Sequence, residues 1–228
     1  MTYVLHYAPD NASLLVRLAL EALGAPYRTV LVDRAARAQD SVAYRAITPA
    51  GLIPALETPD GTMFETAAIL LWLADRYGRL APPPDAPDRA DFLKHLFFTS
   101  NTLHAQMRMT FYPDQYVGDD VRATLQGNDA MAMTLPRALG LLDSWYGGNP
   151  AAEITVLDFY IACLLRWCAL YPAGRTGWFR LQDYPALSSR VSALETHTAV
   201  QAAQTAEGLC PTPFTKPRHP RPPEGSAT

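Results

Sequence analysis

The strongest constraint on the fold is residues 50–73, whose sequence is AGLIPALETPDGTMFETAAILLWL. Pro54 lies inside what otherwise has the pattern of a short apolar strand. Because proline cannot donate to a strand ladder, it belongs at an edge, at a strand start or in a special turn. The pair Asp60-Gly61 is typical of a hairpin turn, and a strongly apolar helical run follows the returning strand. The stretch therefore predicts a strand–turn–strand–helix unit with an acidic and a hydroxyl residue at the start of its helix.

The chain before this stretch predicts a strand–helix–strand unit. Residues 3–7 have a short strand pattern that ends in turn-forming residues. Apolar residues recur at helical spacing from Ser13 until Gly24, and residues 27–32 form a second strand pattern. A β-α-β start of this length implies a parallel strand pair with a right-handed crossover. With a loose helix predicted over residues 34–48, the order of elements in the first part of the chain is β-α-β-α-β-β-α.

A proline-dense segment, residues 80–87, divides the chain. Its four prolines in eight residues cannot hold a helix and are typical of a semi-rigid linker. We therefore predict an α/β domain over residues 1–79 and an all-helical domain over residues 88–210. Residues 211–228 are rich in Pro, Arg and Gly and are predicted to form a disordered tail.

The second part of the chain has the patterns of several helices. Long amphipathic patterns cover residues 88–112 and 128–146. Pro136 in the second pattern is expected to kink the helix or to shift its start. Thr155 and Asp158 have the spacing of a capping box just ahead of an apolar run, which predicts the beginning of a further helix.

Composition narrows the class of protein. The chain has 228 residues, of which 49% are hydrophobic, and its net charge is −3 without a dense Lys/Arg block. These values argue against nucleic acid or an anionic membrane as the main partner. Cys163, Cys168 and Cys210 make no paired motif, so neither a disulfide framework nor a metal site is indicated. Because we find neither a signal-peptide pattern nor an apolar run of transmembrane length, we expect a cytoplasmic protein.

Three short motifs follow one another in a specific order and spacing. Residues 53–56 read IPAL, residues 65–69 read ETAAI, and residues 155–158 hold the capping box. Together they resemble the glutathione S-transferase superfamily, and its soluble bacterial members most. The resemblance covers residues 1–208. It implies a thioredoxin-like α/β N-terminal domain (βαβαββα) followed by an all-α helical-bundle C-terminal domain.

The resemblance implies that glutathione is the cosubstrate and that no metal takes part. Glu65 would pair with the γ-glutamyl ammonium, and Thr66 with the first N–H groups of its helix would bind the γ-glutamyl carboxylate, because a helix start is electropositive. The backbone of Ile53, held by a cis bond to Pro54 and next to Leu52, would hydrogen-bond the cysteinyl part as an added strand. The alternative is that Glu65 and Thr66 form an ordinary helix-capping pair.

Activation of the glutathione thiol needs a donor near its sulfur, because the thiolate is the nucleophile. Ala12 occupies the position where several bacterial members of the family carry cysteine. Its neighbours Ser13 and Asn11 can both donate, and we expect Ser13 first and Asn11 second as the catalytic residue. Either side chain could instead merely cap the first helix. Tyr7, late in the first strand, is a further candidate.

The resemblance places the electrophile pocket between the two domains. His104, Arg108 and Tyr112 are the expected polar and aromatic residues there, at near-helical spacing. Trp167 and Tyr171 could also line the pocket, although packing between helices is the stronger explanation for them. A structural role is the alternative for the histidine.

The implied activity is transfer of glutathione to a small hydrophobic electrophile. A non-catalytic module of the same fold, which binds glutathione or a partner protein, is the alternative from another class. Glutathione-dependent reduction of peroxides or disulfides is a close variant, which the absence of a cysteine at position 12 weakens. The resemblance also implies a homodimer, with no nucleic acid or membrane partner.

Overall fold

A four-stranded mixed sheet forms the first part of the molecule. The computed structural model describes residues 2–148 and 153–227. The sheet order is β2-β1-β3-β4, with β1 parallel to β2 and the pairs β1–β3 and β3–β4 antiparallel. The strands are β1 (Tyr3–Tyr7), β2 (Tyr27–Leu31), β3 (Ala55–Thr58) and β4 (Gly61–Met63).

Three helices accompany this sheet and confirm the predicted order of elements. The helices are α1 (Ser13–Leu23), α2 (Val42–Ile47) and α3 (Thr66–Tyr77), with a 3-10 turn at Ala38–Asp40 before α2. Helix α1 lies against the sheet with almost all of its residues buried, and Gly24 ends it with a left-handed φ of +64°. The thioredoxin-like βαβαββα fold expected from the sequence is therefore present.

The regular secondary structure in the rest of the described chain is helical. Helices α4 and α5 are joined without interruption by the π-helical segment Thr99–His104, so together they fill the long amphipathic pattern. The helices are α4 (Arg89–Phe98), α5 (Ala105–Phe111), α6 (Asp114–Val117), α7 (Val121–Gly148), α8 (Val156–Leu170), α9 (Pro185–Leu194) and α10 (Thr198–Glu207), with a 3-10 turn at Leu181–Asp183. None of the helices within 2–148 and 153–227 is long and apolar enough to cross a membrane.

Helix α7 begins seven residues earlier than the sequence pattern predicts, at Val121 rather than at residue 128. The early start has a local cause, because the Asp120 carboxylate accepts hydrogen bonds from the backbone N–H groups of Arg122 (2.8 Å) and Ala123 (3.0 Å). Pro136 lies inside the helix and does not mark its start.

Helix α8 is the centre of the helical part. Its capping box is present as predicted, with the Asp158 carboxylate accepting from the Thr155 backbone N–H at 2.6 Å. The same buried carboxylate accepts from the hydroxyl of Tyr146 (2.9 Å) and from Nε of Arg190 (2.6 Å). These bonds join the start of α8 to α7 and α9, and nearly every residue of α8 is buried.

The C-terminal segment differs from the prediction of a disordered tail. Residues 211–227 fold back along the molecule, and Phe214 is buried at 2% exposure. The Glu195 carboxylate accepts from the backbone N–H of Phe214 (2.9 Å), and Arg166 donates to two carbonyls of the segment. The amino-acid composition suggested disorder because composition carries no information about contacts with distant residues such as Glu195 and Arg166. The domain boundaries at residues 79 and 88 stay a prediction.

Candidate functional site

A cavity of about 1270 Å³ opens where the α/β part meets the helices. Its walls come from the loop between β1 and α1, the segment before β3, the start of α3, the π-helical segment with α5, and the end of α8. The C-terminal segment supplies a further wall through residues 219–227. No cluster of metal-ligating side chains occurs in the described part of the chain.

The segment before β3 lies at this cavity as predicted. The Ile53–Pro54 peptide bond is cis, and Leu52, Ile53 and Pro54 all line the cavity. The Tyr44 hydroxyl donates to the carbonyl of Leu52 at 2.9 Å and so fixes the backbone just before the cis bond. A peptide that adds to this segment as a strand would have a pre-ordered backbone to pair with.

Glu65 and Thr66 meet the same cavity at the start of α3. Glu65 is exposed, has a positive φ of +71°, and its side chain makes no capping hydrogen bond. Glu65 therefore occupies the N-cap position of α3 without capping it through its side chain, which disfavours the alternative of an ordinary helix-capping pair. Strained backbone at a non-glycine residue is concentrated at functional sites, and the first N–H groups of a helix lack partners within it. The arrangement offers an anion-binding helix start beside an available carboxylate.

The two predicted sulfur partners, Ser13 and Asn11, have different surroundings at the loop between β1 and α1. Ser13 is fully buried, and its hydroxyl donates to the Ala8 carbonyl (3.0 Å) and accepts from the Ala8 N–H (3.2 Å). This geometry favours Asn11 over Ser13, which was expected first, because the Ser13 hydroxyl is already bonded to the Ala8 backbone; the identity of the sulfur partner stays a prediction. Asn11 is partly exposed and lines the cavity. Its side-chain oxygen accepts from the Ala12 N–H at 2.9 Å, which leaves the amide nitrogen as the group that can donate.

Asp10 is the residue that sequence reasoning missed. It is 4% exposed with a φ of +50°, and its carboxylate accepts from Nε and Nη2 of Arg166 at 2.8 and 2.9 Å. It also accepts from Nε1 of Trp167 and the hydroxyl of Tyr171, both at 2.9 Å. The Asp10 backbone N–H donates to the Glu207 carboxylate at 2.7 Å. The loop that carries Asn11 is therefore held by α8 and α10.

Tyr7, the further candidate for the sulfur partner, is bonded to the C-terminal segment. Its ring is buried, and its hydroxyl donates to the Glu224 carboxylate of the C-terminal segment at 2.5 Å. Burial and the adjacent Glu224 carboxylate raise the pKa of Tyr7 well above its usual range. The guanidinium of Arg17 lies 4.8 Å from the centre of the ring and is itself paired with Glu207 at 2.8 Å. Tyr7 thus anchors the C-terminal segment to the end of β1.

The residues predicted for the electrophile pocket lie together on the helical side of the cavity: His104, Arg108, Tyr112, Trp167 and Tyr171. Nδ1 of His104 is 2.9 Å from the hydroxyl of Tyr160, and its ring packs against Trp167. Burial and the nearby Arg108 charge lower the pKa of His104 to about 4. The imidazole is therefore neutral at physiological pH, and its role in the pocket stays a prediction.

Part of the pocket was not predicted from the sequence. His219, Pro220 and Pro222 line the cavity, and the His219 ring meets Tyr171 edge-on with centroids 5.2 Å apart. The proline content that suggested disorder suits a segment that runs along a surface without pairing its own backbone. The position of this segment depends on contacts with residues that are distant in the sequence, such as Tyr171.

Comparison with known proteins agrees with this arrangement. A family profile described as the glutathione S-transferase N-terminal domain matches residues 5–84. A sphingomonad glutathione S-transferase, solved in complex with glutathione, is 30% identical with a TM-score of 0.74, and the match covers 91% of this chain and 100% of that one. The chain belongs to the glutathione S-transferase superfamily. The family resemblance and the fold class predicted from the motifs are confirmed.

Two further members of the superfamily match over nearly their whole length. GstA, a glutathione S-transferase of Escherichia coli O157:H7, is 27% identical over 209 residues, which cover 90% of this chain and 98% of the relative. The ternary complex of BphK, a bacterial glutathione S-transferase, is 27% identical with a TM-score of 0.76, over 90% of this chain and 100% of that one. The similarity therefore extends over both parts of the fold.

Proposed function

We propose that this protein is a glutathione S-transferase that activates the glutathione thiol for attack on an electrophile in the cavity. One observation carries the proposal. The cis Ile53–Pro54 segment and the start of α3, with its uncapped Glu65, face the same cavity. A γ-glutamyl peptide presents an ammonium, a carboxylate and a peptide backbone, which these groups match in kind. The sphingomonad relative was solved with glutathione bound.

Each end of glutathione has a partner of suitable chemistry. The carboxylate of Glu65 pairs with the γ-glutamyl ammonium, while Thr66 and the first N–H groups of α3 donate to the γ-glutamyl carboxylate. The backbone of Ile53, between Leu52 and Pro54, pairs with the cysteinyl peptide as a short antiparallel strand. This pose brings the thiol towards the loop between β1 and α1.

Asn11 is the proposed sulfur partner. Its side-chain oxygen is held by the Ala12 N–H, so the amide nitrogen can donate to the sulfur. A decrease of about two units in the thiol pKa corresponds to about 2.7 kcal/mol of preferential thiolate binding. A charge-assisted hydrogen bond and the nearby start of α1 are together of this size. The thiolate then forms a carbon–sulfur bond with the electrophile, which expels its leaving group or takes up a proton.

The matched variants Asn11→Ala and Ser13→Ala test this assignment. Thiolate absorbance of bound glutathione is measured against pH, together with kcat/KM for a chloronitrobenzene electrophile. We expect Asn11→Ala to raise the apparent thiol pKa and to lower kcat/KM by about tenfold or more, as a lost hydrogen bond to a charged group does. Ser13→Ala removes a buried hydrogen bond in the loop and should mainly lower the free energy of unfolding, by about 1 kcal/mol.

The outcomes separate the activity from its alternative. Failure to bind millimolar glutathione would contradict the proposed function as a whole. Binding without a thiolate signal would favour the non-catalytic module, and a larger kinetic effect of Ser13→Ala than of Asn11→Ala would restore Ser13 as the sulfur partner. Neither the module nor a reductase is favoured by a specific feature of the cavity.

We further propose a cytoplasmic homodimer, as the family resemblance implies. Exposed phenylalanines on the α/β part and on α4, Phe64 at 42% and Phe97 at 48%, are apolar surface that a second copy could cover. Sedimentation equilibrium of the wild type and of a Phe64→Ser, Phe97→Ser variant tests this. A wild-type protein that sediments as a monomer at micromolar concentration would contradict the dimer.

A further inference from the structure

Two arginines in the cavity have no acidic partner. Arg34, after β2, and Arg108, on α5, both line the cavity. Within residues 2–148 and 153–227, neither of them forms an ion pair: Arg34 donates to the Ala227 carbonyl at 2.8 Å, and Arg108 donates through Nη2 to the Gln115 side chain at 3.2 Å. A partly buried guanidinium without a counter-charge has lost hydration that only an anion restores well.

The two remaining arginines of the cavity are different. Arg37 and Arg45 share the Asp40 carboxylate, at 2.8 Å and 3.4 Å respectively. Arg45 also lies against Gly51, because a Cβ at that glycine would be 3.1 Å from its guanidinium carbon. This pair of arginines is therefore next to the segment that is proposed to hold the glutathione backbone.

Arg108 carries a second, independent indication of a ligand. Its Nε is a buried nitrogen with no hydrogen-bond partner among the described residues, although its Nη2 is satisfied by Gln115. Buried polar groups in proteins are almost always paired, so an orphan donor on a cavity wall calls for an acceptor from outside the chain. Nε and an Nη group of one guanidinium together make the fork that binds a carboxylate in two places.

Tyr112 lines the same cavity as Arg34 and Arg108. It lies one helical turn after Arg108, and its N–H donates to the Arg108 carbonyl at 2.9 Å. The guanidinium carbon of Arg34 is 5.5 Å from the centre of the Tyr112 ring. An aromatic ring with a cation over it, in a cavity that a second unpaired arginine also lines, suits a flat, apolar molecule with an anionic substituent.

We propose that the electrophile carries an anionic group, such as a carboxylate, which Arg108 binds with help from Arg34. This inference rests on the proposed function and specifies the substrate class of the same site. The thiolate attacks the electrophilic carbon, a carbon–sulfur bond forms and the leaving group departs as an anion. The anionic substituent stays bound at Arg108 and is unchanged by the reaction.

Glutathione itself is the other source of a carboxylate. In the proposed pose its γ-glutamyl end lies at α3, so its glycyl end extends along the 51–53 segment towards Gly51 and Arg45. Arg37 and Arg45 therefore take the glycyl carboxylate, and Arg108 is left for the electrophile. An experiment must separate these two sources.

A matched pair of electrophiles makes the separation. 4-Chloro-3,5-dinitrobenzoate and its methyl ester both lose chloride to a thiolate, but only the first is an anion. The quantity to measure is the ratio of kcat/KM for the acid to that for the ester, relative to wild type, so that intrinsic reactivity cancels. The variants are Arg108→Gln, Arg108→Lys and Arg34→Gln. The control is Arg122→Gln, an exposed arginine on α7 outside the cavity lining.

We expect Arg108→Gln to lower this ratio by about tenfold or more, since hydrogen bonds to a charged group are of that strength. Arg108→Lys keeps the charge but loses the two-point geometry of the guanidinium, so its ratio should lie between those of wild type and Arg108→Gln. Arg34→Gln should lower the ratio by a smaller factor, and Arg122→Gln should leave it at the wild-type value. Equal losses for acid and ester in Arg108→Gln would overturn the proposal. A raised KM for glutathione with both electrophiles would do so as well, because it assigns Arg108 to the glycyl carboxylate.

Binding of the two glutathione conjugates, measured by calorimetry, tests the inference without turnover. The carboxylate conjugate should bind wild type about tenfold or more tightly than its methyl ester, and Arg108→Gln should remove the difference. If glutathione binds but the two conjugates bind equally, the inference fails and the proposed function stands. If neither conjugate nor glutathione binds, the proposed function itself fails.

Discussion

The Asp10–Arg166 ion pair allows a quantitative test of what holds the loop between β1 and α1, which carries Asn11. Asp10 accepts four hydrogen bonds, and the Arg166 side chain is fully buried. Asp10→Ala leaves that guanidinium buried, with the backbone carbonyls of Pro213 and Arg218 as its remaining acceptors within residues 2–148 and 153–227. Removal of one partner from a buried ion pair costs about 3–5 kcal/mol, because the remaining charge is neither hydrated nor neutralised. We expect a loss of this size in the free energy of unfolding.

Urea unfolding followed by circular dichroism measures this loss. Arg166→Met alone leaves the Asp10 carboxylate without its charge partner, whereas the double variant with Asp10→Ala removes both charges. The double variant should therefore lose clearly less stability than the sum of the two single variants. As a control, Asp183→Ala breaks an exposed pair with Arg180 and should cost less than about 1 kcal/mol. A loss below about 1 kcal/mol in Asp10→Ala, or strict additivity in the double variant, would refute the reasoning.

Two further predictions concern the walls of the cavity. Gly208→Ala adds a Cβ 1.9 Å from the carbonyl oxygen of Arg221, whereas Gly24→Ala, also at a φ of +64°, meets nothing within 4 Å. Both variants pay about 1–2 kcal/mol for the left-handed backbone, but only Gly208→Ala should release the C-terminal segment to limited proteolysis, and equal cleavage of both would contradict this. The folded pKa of His104 is about 4, below the ordinary 6.5, so the folded state binds fewer protons and stability should rise with pH between these values. The free energy of unfolding should increase by at most about 3 kcal/mol over this range, since the ring partly faces the cavity. The increase should be absent in His104→Gln. If the free energy of unfolding changes with pH in the same way in both proteins, His104 is not its cause.

Features carried by neighbouring residues were predictable from the sequence. The hairpin after Pro54 and the capping box at Thr155 each depend on side chains within a few positions of one another. The cis Ile53–Pro54 bond, by contrast, was implied by the family resemblance, and the structure has it. Helical spacing predicted that His104 and Arg108 share a face, and both line the cavity, while their role as an electrophile pocket was implied by the family resemblance and stays a prediction.

Features that depend on distant partners were not predictable. Asp10 stands 156 residues before Arg166, and Tyr7 stands 217 residues before Glu224. Asp10 has the local pattern of a turn former, and the C-terminal segment has the composition of a disordered chain. Ser13 and Asn11 could not be ranked for a related reason. The proposed ranking depends on which side chain is already hydrogen-bonded within the loop, and the bond from Ser13 to the Ala8 backbone is visible only in the structure.

The loop that presents Asn11 belongs to the α/β part by sequence, but its geometry is set by the helical part. The carboxylate of Asp10 is fixed by Arg166 on α8, and its N–H is fixed by Glu207 on α10. A change in the packing of α8 or α10 therefore moves the proposed sulfur partner without touching glutathione. The γ-glutamyl end is proposed to bind at the start of α3, whose first N–H groups belong to the α/β part itself. Mutations that disturb the helical part should therefore impair thiol activation before they impair glutathione binding. This order is expected if the helical part contributes to the reaction by positioning Asn11 and not by adding affinity for glutathione.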